Sequence, residues 1–178
     1  MLSSSRFVLH PASRAPALVS RRLSDSAPAR RSALITGSAQ GIGRAIALRL
    51  ASDGFDVCVS DLPHKADSIE TAANEVRALG REAIRTICDV TKKFEVEDAI
   101  QKSVEALGPL NVMVANAGII QVESLLETTP EDLQKIFETN VFGVVRYPNI
   151  AAGKQFIKQG TGGRIINAAR QTFNSLSR

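Results

Sequence analysis

The stretch TGSAQGIG, residues 36–43, decides the fold. It directly follows the apolar run Ser32–Thr36 and directly precedes apolar residues at helical spacing, Ile42, Ile46 and Leu50. Glycines between a strand and a helix let the backbone turn tightly and approach a pyrophosphate, which free N–H groups at the helix amino end can bind. The alternative is a flexible surface loop, but the strand before and the helix after it favour a dinucleotide-binding loop.

Outward from this loop, short apolar runs alternate with helical patterns, which is typical of a parallel sheet covered by helices. The helical patterns end at Gly54, Gly80 and Gly108, and glycine readily takes the left-handed conformation that ends a helix. A fourth helix is predicted to start at Thr129-Pro130, a hydroxyl cap followed by a proline. We therefore predict an α/β fold, a Rossmann-type doubly wound parallel sheet with about five strands: Ser32–Thr36, Phe55–Ser60, Glu82–Cys88, Leu110–Ala115 and Arg164–Ala168.

Apolar stripes identify the expected inner face of each helix. The first is Ile42, Ile46 and Leu50, the second is Ile69, Ala72, Ala73, Val76 and Leu79, and the third is Val96, Ile100, Val104 and Leu107.

Asp61 stands at the end of the second predicted strand, 18 positions after Gly43. A carboxylate there can accept hydrogen bonds from the ribose hydroxyls of an adenosine and would repel a 2′-phosphate. Gln40, in the loop, is not the basic residue that such a phosphate would need. These two residues favour NAD over NADP, whereas the alternative is an ordinary turn aspartate before Pro63.

The charge of the chain is unevenly distributed. The net charge is +4, from 22 basic and 18 acidic residues. Residues 1–30 hold five arginines and a single acid, Asp25, so 17 basic and 17 acidic residues lie in the rest of the chain. The remainder is therefore neutral, and with no tryptophan and one tyrosine it lacks the basic, aromatic surface of a nucleic-acid-binding protein. A nucleic-acid partner is not expected.

Residues 1–30 are rich in arginine, serine and alanine and contain three prolines. Their longest run of large apolar residues is Phe7-Val8-Leu9, too short for a signal-peptide core or a membrane span. The composition is typical of a mitochondrial transit peptide, and the alternative is a disordered extension of a cytoplasmic protein. No membrane partner is expected.

Cys58 and Cys88 both lie in apolar runs, as reduced core cysteines do. No CxxC or histidine-rich spacing accompanies them, and neither His10 nor His64 has a partner at motif distance. We predict no metal site.

Four motifs together resemble the short-chain dehydrogenase/reductase family, and they span residues 31–169. They are TGSAQGIG at 36–43, Cys88-Asp89-Val90, Ala115-Asn116-Ala117-Gly118 and Glu138-Thr139-Asn140-Val141. The resemblance implies an NAD-dependent oxidoreductase acting on an alcohol or carbonyl, most like acetoin and diacetyl reductases. Residues 1–30 are then a leader, 31–169 the NAD-binding domain and 170–178 a tail unlike the family.

The family's motifs assign NAD-binding roles to residues along this stretch. These residues are Gly37, Ser38, Gln40, Gly41, Ile42, Gly43, Asp61, Leu62, Asp89, Val90, Asn116, Ala117 and Gly118.

Asn140 matches the asparagine of the family's catalytic tetrad. It also falls on an apolar stripe with Leu133, Ile136, Phe137 and Val144, where a buried amide is costly unless it is paired. The resemblance implies that it holds a proton-relay water, and the alternative is a satisfied structural amide.

The other tetrad members do not appear in the sequence. Arg170 stands at the position of the family's serine, no Tyr-x-x-x-Lys follows, and Tyr147 precedes Pro148 with no lysine four residues on. We expect a truncated chain, through a changed reading frame or splice site, that binds NAD without turnover. A non-catalytic regulatory protein and a chain that does not fold stably are the alternatives, and the family's homo-oligomer is not expected because its interface helix is missing.

Overall fold

The computed structural model describes residues 30–120 and 126–169. The predicted leader, apart from Arg30, and the predicted tail lie outside them, so the transit peptide stays a prediction. The strands are β1 (Arg31–Thr36), β2 (Phe55–Asp61), β3 (Ala83–Ile87), β4 (Leu110–Ala115) and β5 (Arg164–Asn167). The helices are α1 (Gly41–Ser52), α2 (Ala66–Ala78), α3 (Lys93–Leu107), α4 (Pro130–Phe137) and α5 (Tyr147–Gln159), with a 3₁₀ turn at Pro63–Lys65 and a π-helical segment at Glu138–Arg146.

The five strands form one parallel sheet in the order β3-β2-β1-β4-β5. This confirms the predicted α/β doubly wound fold, and each strand boundary lies within one residue of its prediction. The chain runs outward from β1 to β3, then crosses to β4 on the other side of β1. Ligands of such sheets bind where the order reverses, beyond the carboxyl ends of the strands.

The core has two halves, one on each face of the sheet. Alternate residues of β2 show the division, since Val57 and Val59 pack under α1 and α2 whereas Cys58 packs under α3 and α5. Both faces are covered, as a parallel sheet requires.

The inner face of α1 differs from the predicted one. Ile42 is 74% exposed, and the buried residues are Gly43, Ala47 and Ala51. A Cβ on Gly43 would overlap the carbonyl oxygen of Gly37. The helix lies so close to the β1 turn that only a small residue fits at Gly43. Ile46 and Leu50 of the predicted stripe still pack against the core as partly buried residues.

The other predicted features of the first three helices are mostly confirmed. Gly54, Gly80 and Gly108 each follow a helix with φ of +89°, +76° and +86°. The predicted stripes of α2 and α3 face the core, except that Leu79 is exposed and Val104 only partly buried.

The fourth helix begins as predicted and then changes pitch. Thr129 caps it through a reciprocal capping box with Asp132. After α4 the chain continues as the π-helical segment, in which Gly143 packs so closely on Val90 that a Cβ would lie 2.8 Å from its Cγ2. The predicted buried stripe is wrong along α4, which buries no residue, and it holds only at Val144 in the π-helical segment. Phe137 is 56% exposed and Leu133 is also exposed, whereas Val144 is buried.

Among the described residues, no helix combines the length and apolar character that crossing a bilayer needs.

Replacing Ile69 with alanine should lower the free energy of unfolding by about 2–5 kcal/mol, since Ile69 of α2 is fully buried. Ile157→Ala is the matched control, because Ile157 is also helical but 83% exposed, and it should change stability by no more than about 0.5 kcal/mol. Urea unfolding followed by circular dichroism measures both. Equal losses would mean that α2 does not pack on the sheet as described.

Candidate functional site

A cavity of about 580 Å³ opens at the carboxyl end of the sheet, under α4 and the start of the π-helical segment. Twelve of the thirteen residues predicted to bind NAD line it, all except Ser38. Six further residues line it that were not predicted to bind NAD: Cys88, Thr91, Ile119, Lys135, Glu138 and Thr139.

Ser38, the thirteenth residue predicted to bind NAD, is not among the residues that line the cavity. It is fully buried, its hydroxyl donates to the Ile35 carbonyl at 2.7 Å, and the Ser60 N–H donates back to that hydroxyl at 2.9 Å. The Ser38 N–H also donates to the Ser60 carbonyl at 3.1 Å. Ser38 therefore fastens the glycine loop to β2 and does not line the cavity.

Each glycine of the loop meets a different steric demand. Gly37 has φ +65°, and a Cβ there would lie 2.8 Å from the Ala117 Cα. Gly43 leaves room for the Gly37 carbonyl. Gly41 has φ +56° with no atom within 4 Å of an added Cβ, so its open side faces the cavity that it lines.

The amino end of α1 suits an anion. Gln40, its N-cap residue, makes no side-chain cap hydrogen bond, and the first turn contains no acid. The positive end of the helix dipole therefore reaches the cavity with no carboxylate in the first turn of α1 itself. The open space beside Gly41 leaves room for a dinucleotide pyrophosphate at this helix end.

A clamp of side-chain hydrogen bonds joins the ends of β1 and β4. The Thr36 hydroxyl oxygen accepts from the N–H groups of Asn116 and Ala117 at 3.1 and 3.2 Å. The Asn116 amide donates to the carbonyls of Thr36 and Gly37 at 3.1 and 3.2 Å. These contacts fix the loop across the point where the strand order reverses.

Asp61 lies at the wall of the cavity with a fixed orientation. Its Oδ2 accepts from the Ala39 N–H at 3.0 Å and its Oδ1 from the Leu62 N–H at 2.9 Å. Each carboxylate oxygen can accept more than one hydrogen bond, so both remain able to accept from a ligand hydroxyl.

Asp89 organises the turn after β3. Its Oδ1 accepts from the Thr91 N–H at 3.0 Å and from the Thr91 hydroxyl at 2.7 Å. Val90, next to it, is buried and lines the same cavity. The turn thus presents an apolar side chain beside a carboxylate.

Lys135, Glu138 and Thr139 form the wall contributed by the helix. Their spacing of three and four residues places them on one helical face, and this polar face was the available sequence signal. It was missed because only the tertiary position of α4 brings it over the strand ends.

Asn140 is a paired amide in the structure. Its Oδ1 accepts from the Ile119 N–H and its Nδ2 donates to the Ile119 carbonyl, both at 2.8 Å. This matches the structural alternative considered for Asn140, and it holds Ile119 at the cavity. The relay role implied by the resemblance stays a prediction.

Tyr147 lies away from the cavity. It lines a separate groove of about 180 Å³ between α3 and α5 with Lys93, Glu97 and Arg146. No tyrosine lies at the cavity among the described residues.

Both cysteines are buried and unpaired, as predicted. Burial raises the pKa of Cys58 to about 12, against the lowering effect of hydrogen bonds to Thr86 and Ser103. Burial, reinforced by the charges of Glu95 and Asp89, raises the pKa of Cys88 to about 12. Cys88 therefore presents a neutral, weakly nucleophilic thiol to the cavity. Within residues 30–120 and 126–169, no three metal-ligating side chains come together.

Both thiols should resist DTNB in the folded protein at about pH 8, since the thiolate is the reacting species. Because the pKa is raised on folding, the unfolded chain loses these protons first, so stability should fall as pH rises from about 8.5, the ordinary thiol pKa, towards 12. Cys58→Ala should remove about half of the thiol contribution to this slope. Fast labelling without denaturant would contradict the described burial.

Comparisons with known proteins agree with this geometry. Residues 31–172 match the family described as short chain dehydrogenase. A short-chain dehydrogenase/reductase of Armillaria gallica is 49% identical over 143 residues, covering 80% of this chain and 54% of that protein. A diacetyl reductase ((S)-acetoin forming) of Staphylococcus epidermidis is 45% identical over 138 residues, covering 78% of this chain and 52% of that protein.

A solved structure shares the fold as well. The crystal structure of a short chain dehydrogenase from Mycobacterium paratuberculosis bound to NAD superposes with a TM-score of 0.71 at 32% identity, over 77% of this chain and 54% of that chain. The chain spans about half the length of the curated relatives that it matches.

Proposed function

Because this chain belongs to the short-chain dehydrogenase/reductase family, we propose that residues 31–169 form the NAD-binding part of an oxidoreductase. The family membership and the likeness to diacetyl reductases, both expected from the sequence motifs, are confirmed. The proposal extends this to the cofactor, the residues that bind it and the substrate class.

One observation carries the cofactor proposal. The open side of Gly41, the uncapped amino end of α1 and the carboxylate of Asp61 share a single cavity. A pyrophosphate needs the first two, and an adenosine ribose with free hydroxyls needs the third.

Different residues around the cavity would bind different parts of the dinucleotide. Backbone N–H groups at Gly41 and Ile42 would hold the pyrophosphate, Asp61 the adenosine ribose, and Asp89 with Val90 the adenine. The segment Asn116–Gly118, fixed by Thr36, would form the floor of the cavity beneath the nicotinamide half of the dinucleotide. When bound, NAD supplies the hydride acceptor for oxidation of an alcohol.

Asp61 also supports the choice of NAD over NADP. A second negative charge near its carboxylate would be repelled, and the relative from Mycobacterium paratuberculosis is solved with NAD. The proposed substrate class is a small hydroxyketone or diketone, by analogy with the diacetyl reductase that forms (S)-acetoin.

Asn140 is best described as a positioning residue. Its two hydrogen bonds to the backbone of Ile119 hold that residue against the cavity, directly after the floor segment. If Asn140 also took part in a proton relay, it would do so while keeping both hydrogen bonds to Ile119.

A second candidate function is dinucleotide binding without catalysis. Among the described residues that line the cavity no tyrosine is present, Tyr147 lines another groove, and Cys88 is a neutral buried thiol. General acid catalysis requires a donor within hydrogen-bond reach of the substrate oxygen.

Replacing Gly41 with valine should abolish NADH binding, because the side chain would occupy the space proposed for the pyrophosphate. Gly80→Val is the matched control, since Gly80 also has positive φ and open space around its Cβ position but lies outside the cavity. Both variants should lose similar stability, and only Gly41→Val should lose the fluorescence change on NADH titration. Retained binding in Gly41→Val would refute the proposed pyrophosphate site.

The 178-residue polypeptide should bind NADH yet show no turnover of diacetyl or of acetoin, followed by NADH absorbance. No tyrosine is among the described residues that line the cavity, and lack of an acid catalyst costs about 10²- to 10⁴-fold in rate. A version extended after Ala169 with the family's serine and Tyr-x-x-x-Lys helix provides the positive comparison. Turnover by the unmodified chain that Gly41→Val eliminates would show that a proton donor has been overlooked.

A further inference from the structure

Glu95, in the first turn of α3, is tied to the turn that follows β3. Its Oε2 accepts from the Asp89 N–H at 2.7 Å, and its Oε1 lies 3.2 Å from the Lys92 Nζ. The Asp89 carbonyl accepts from the Lys92 N–H at 2.9 Å, which closes the turn between these two residues. One carboxylate therefore fixes the backbone of Asp89 and also pairs with the ammonium group of Lys92.

The two oxygens of the Asp89 carboxylate differ in what they contact. Oδ1 accepts from both the N–H and the hydroxyl of Thr91. Oδ2 makes no hydrogen bond within residues 30–120 and 126–169, and the Lys92 Nζ lies 3.7 Å from it, beyond hydrogen-bond distance. Because Asp89 lines the cavity, Oδ2 is the oxygen left to accept from a ligand.

The Lys92 ammonium lies between two carboxylates and is closer to Glu95 than to Asp89. The contact with Glu95 is also the main reason why the pKa of Lys92 is raised, with a smaller contribution from Asp89. Without the Glu95 charge, a small movement of this exposed lysine would bring its ammonium onto the Asp89 Oδ2. A cation there would occupy the acceptor that a ligand needs.

We propose that Glu95 is a positioning residue for the adenine end of the dinucleotide: by pairing with Lys92 it keeps the Asp89 Oδ2 open to accept from the 6-amino group of adenine. This rests on the proposed NAD-binding function. A 6-oxo purine presents an acceptor at the same place, and two acceptors cannot form a hydrogen bond. The Lys92–Glu95 pair would thus let the cavity distinguish a 6-amino purine from a 6-oxo purine.

The test titrates the full chain with NADH and with deamino-NADH, whose hypoxanthine carries an oxygen in place of the 6-amino group, and follows nucleotide fluorescence. The parent chain should bind NADH about tenfold more tightly than deamino-NADH, the scale of one charge-assisted hydrogen bond. Glu95→Gln keeps an oxygen for the Asp89 N–H but releases Lys92, so it should reduce this preference to about twofold or less.

Lys92→Met should keep the preference for NADH. Combined with Glu95→Gln it should restore the preference, because no ammonium is left to cover the Asp89 Oδ2. Glu97→Gln is the matched control, since Glu97 pairs with Lys93 on the same helix but does not line the cavity. This control should leave both affinities unchanged.

Should Glu95→Gln prove unstable on melting, Lys92→Arg gives an independent test that leaves Glu95 in place. The planar guanidinium can bond both carboxylates at once, so this variant should also reduce the preference for NADH. An unchanged preference in Lys92→Arg would count against the inference.

A parent chain without the preference, equal weakening of both nucleotides in Glu95→Gln, or a double variant that fails to restore the preference would overturn the inference while leaving NAD binding intact. Absence of NADH binding by the parent chain would instead refute the proposed function, and the inference with it.

Discussion

The close approach of α1 to the turn after β1 is the constraint on which the rest of the site depends. No side-chain atom fits between Gly43 and the Gly37 carbonyl, so the helix amino end lies directly over the strand end. Because of this contact the N–H groups of α1 face the cavity, and the small residues Ala47 and Ala51 continue the close packing along the helix. The clamp of Thr36 and Asn116 then fixes the same turn against β4.

A second consequence is that the loop is held from both neighbouring strands. Ser38 ties it to β2 and Asn116 ties it to β4, each through buried or half-buried hydrogen bonds. The loop is therefore fastened on both sides in the absence of a ligand. Such preorganisation reduces the entropy lost on binding.

The strands could be predicted from sequence because each is a short apolar run bounded by glycine or polar residues. Predictions from local sequence patterns were wrong where tertiary packing determines which side chains are buried. Ile42 is exposed because the start of α1 packs too closely on the β1 turn for large side chains, whereas Ile46 and Leu50 of the same stripe do pack against the core. Ser38 in the loop motif is buried. Lys135 was missed since nothing local indicates which distant segment it will face. The pairing of Asn140 with Ile119 likewise depends on contact between residues 21 positions apart.

The π-helical segment between α4 and α5 separates one helical rod into two parts with different rotational phase. An α-helix advances by about 100° per residue, so its faces are locked together along its length. The wider turns at Glu138–Arg146 break that lock. The side of this rod that borders the cavity and the side of α5 that packs on the sheet therefore have a rotational relation that one continuous α-helix would not give.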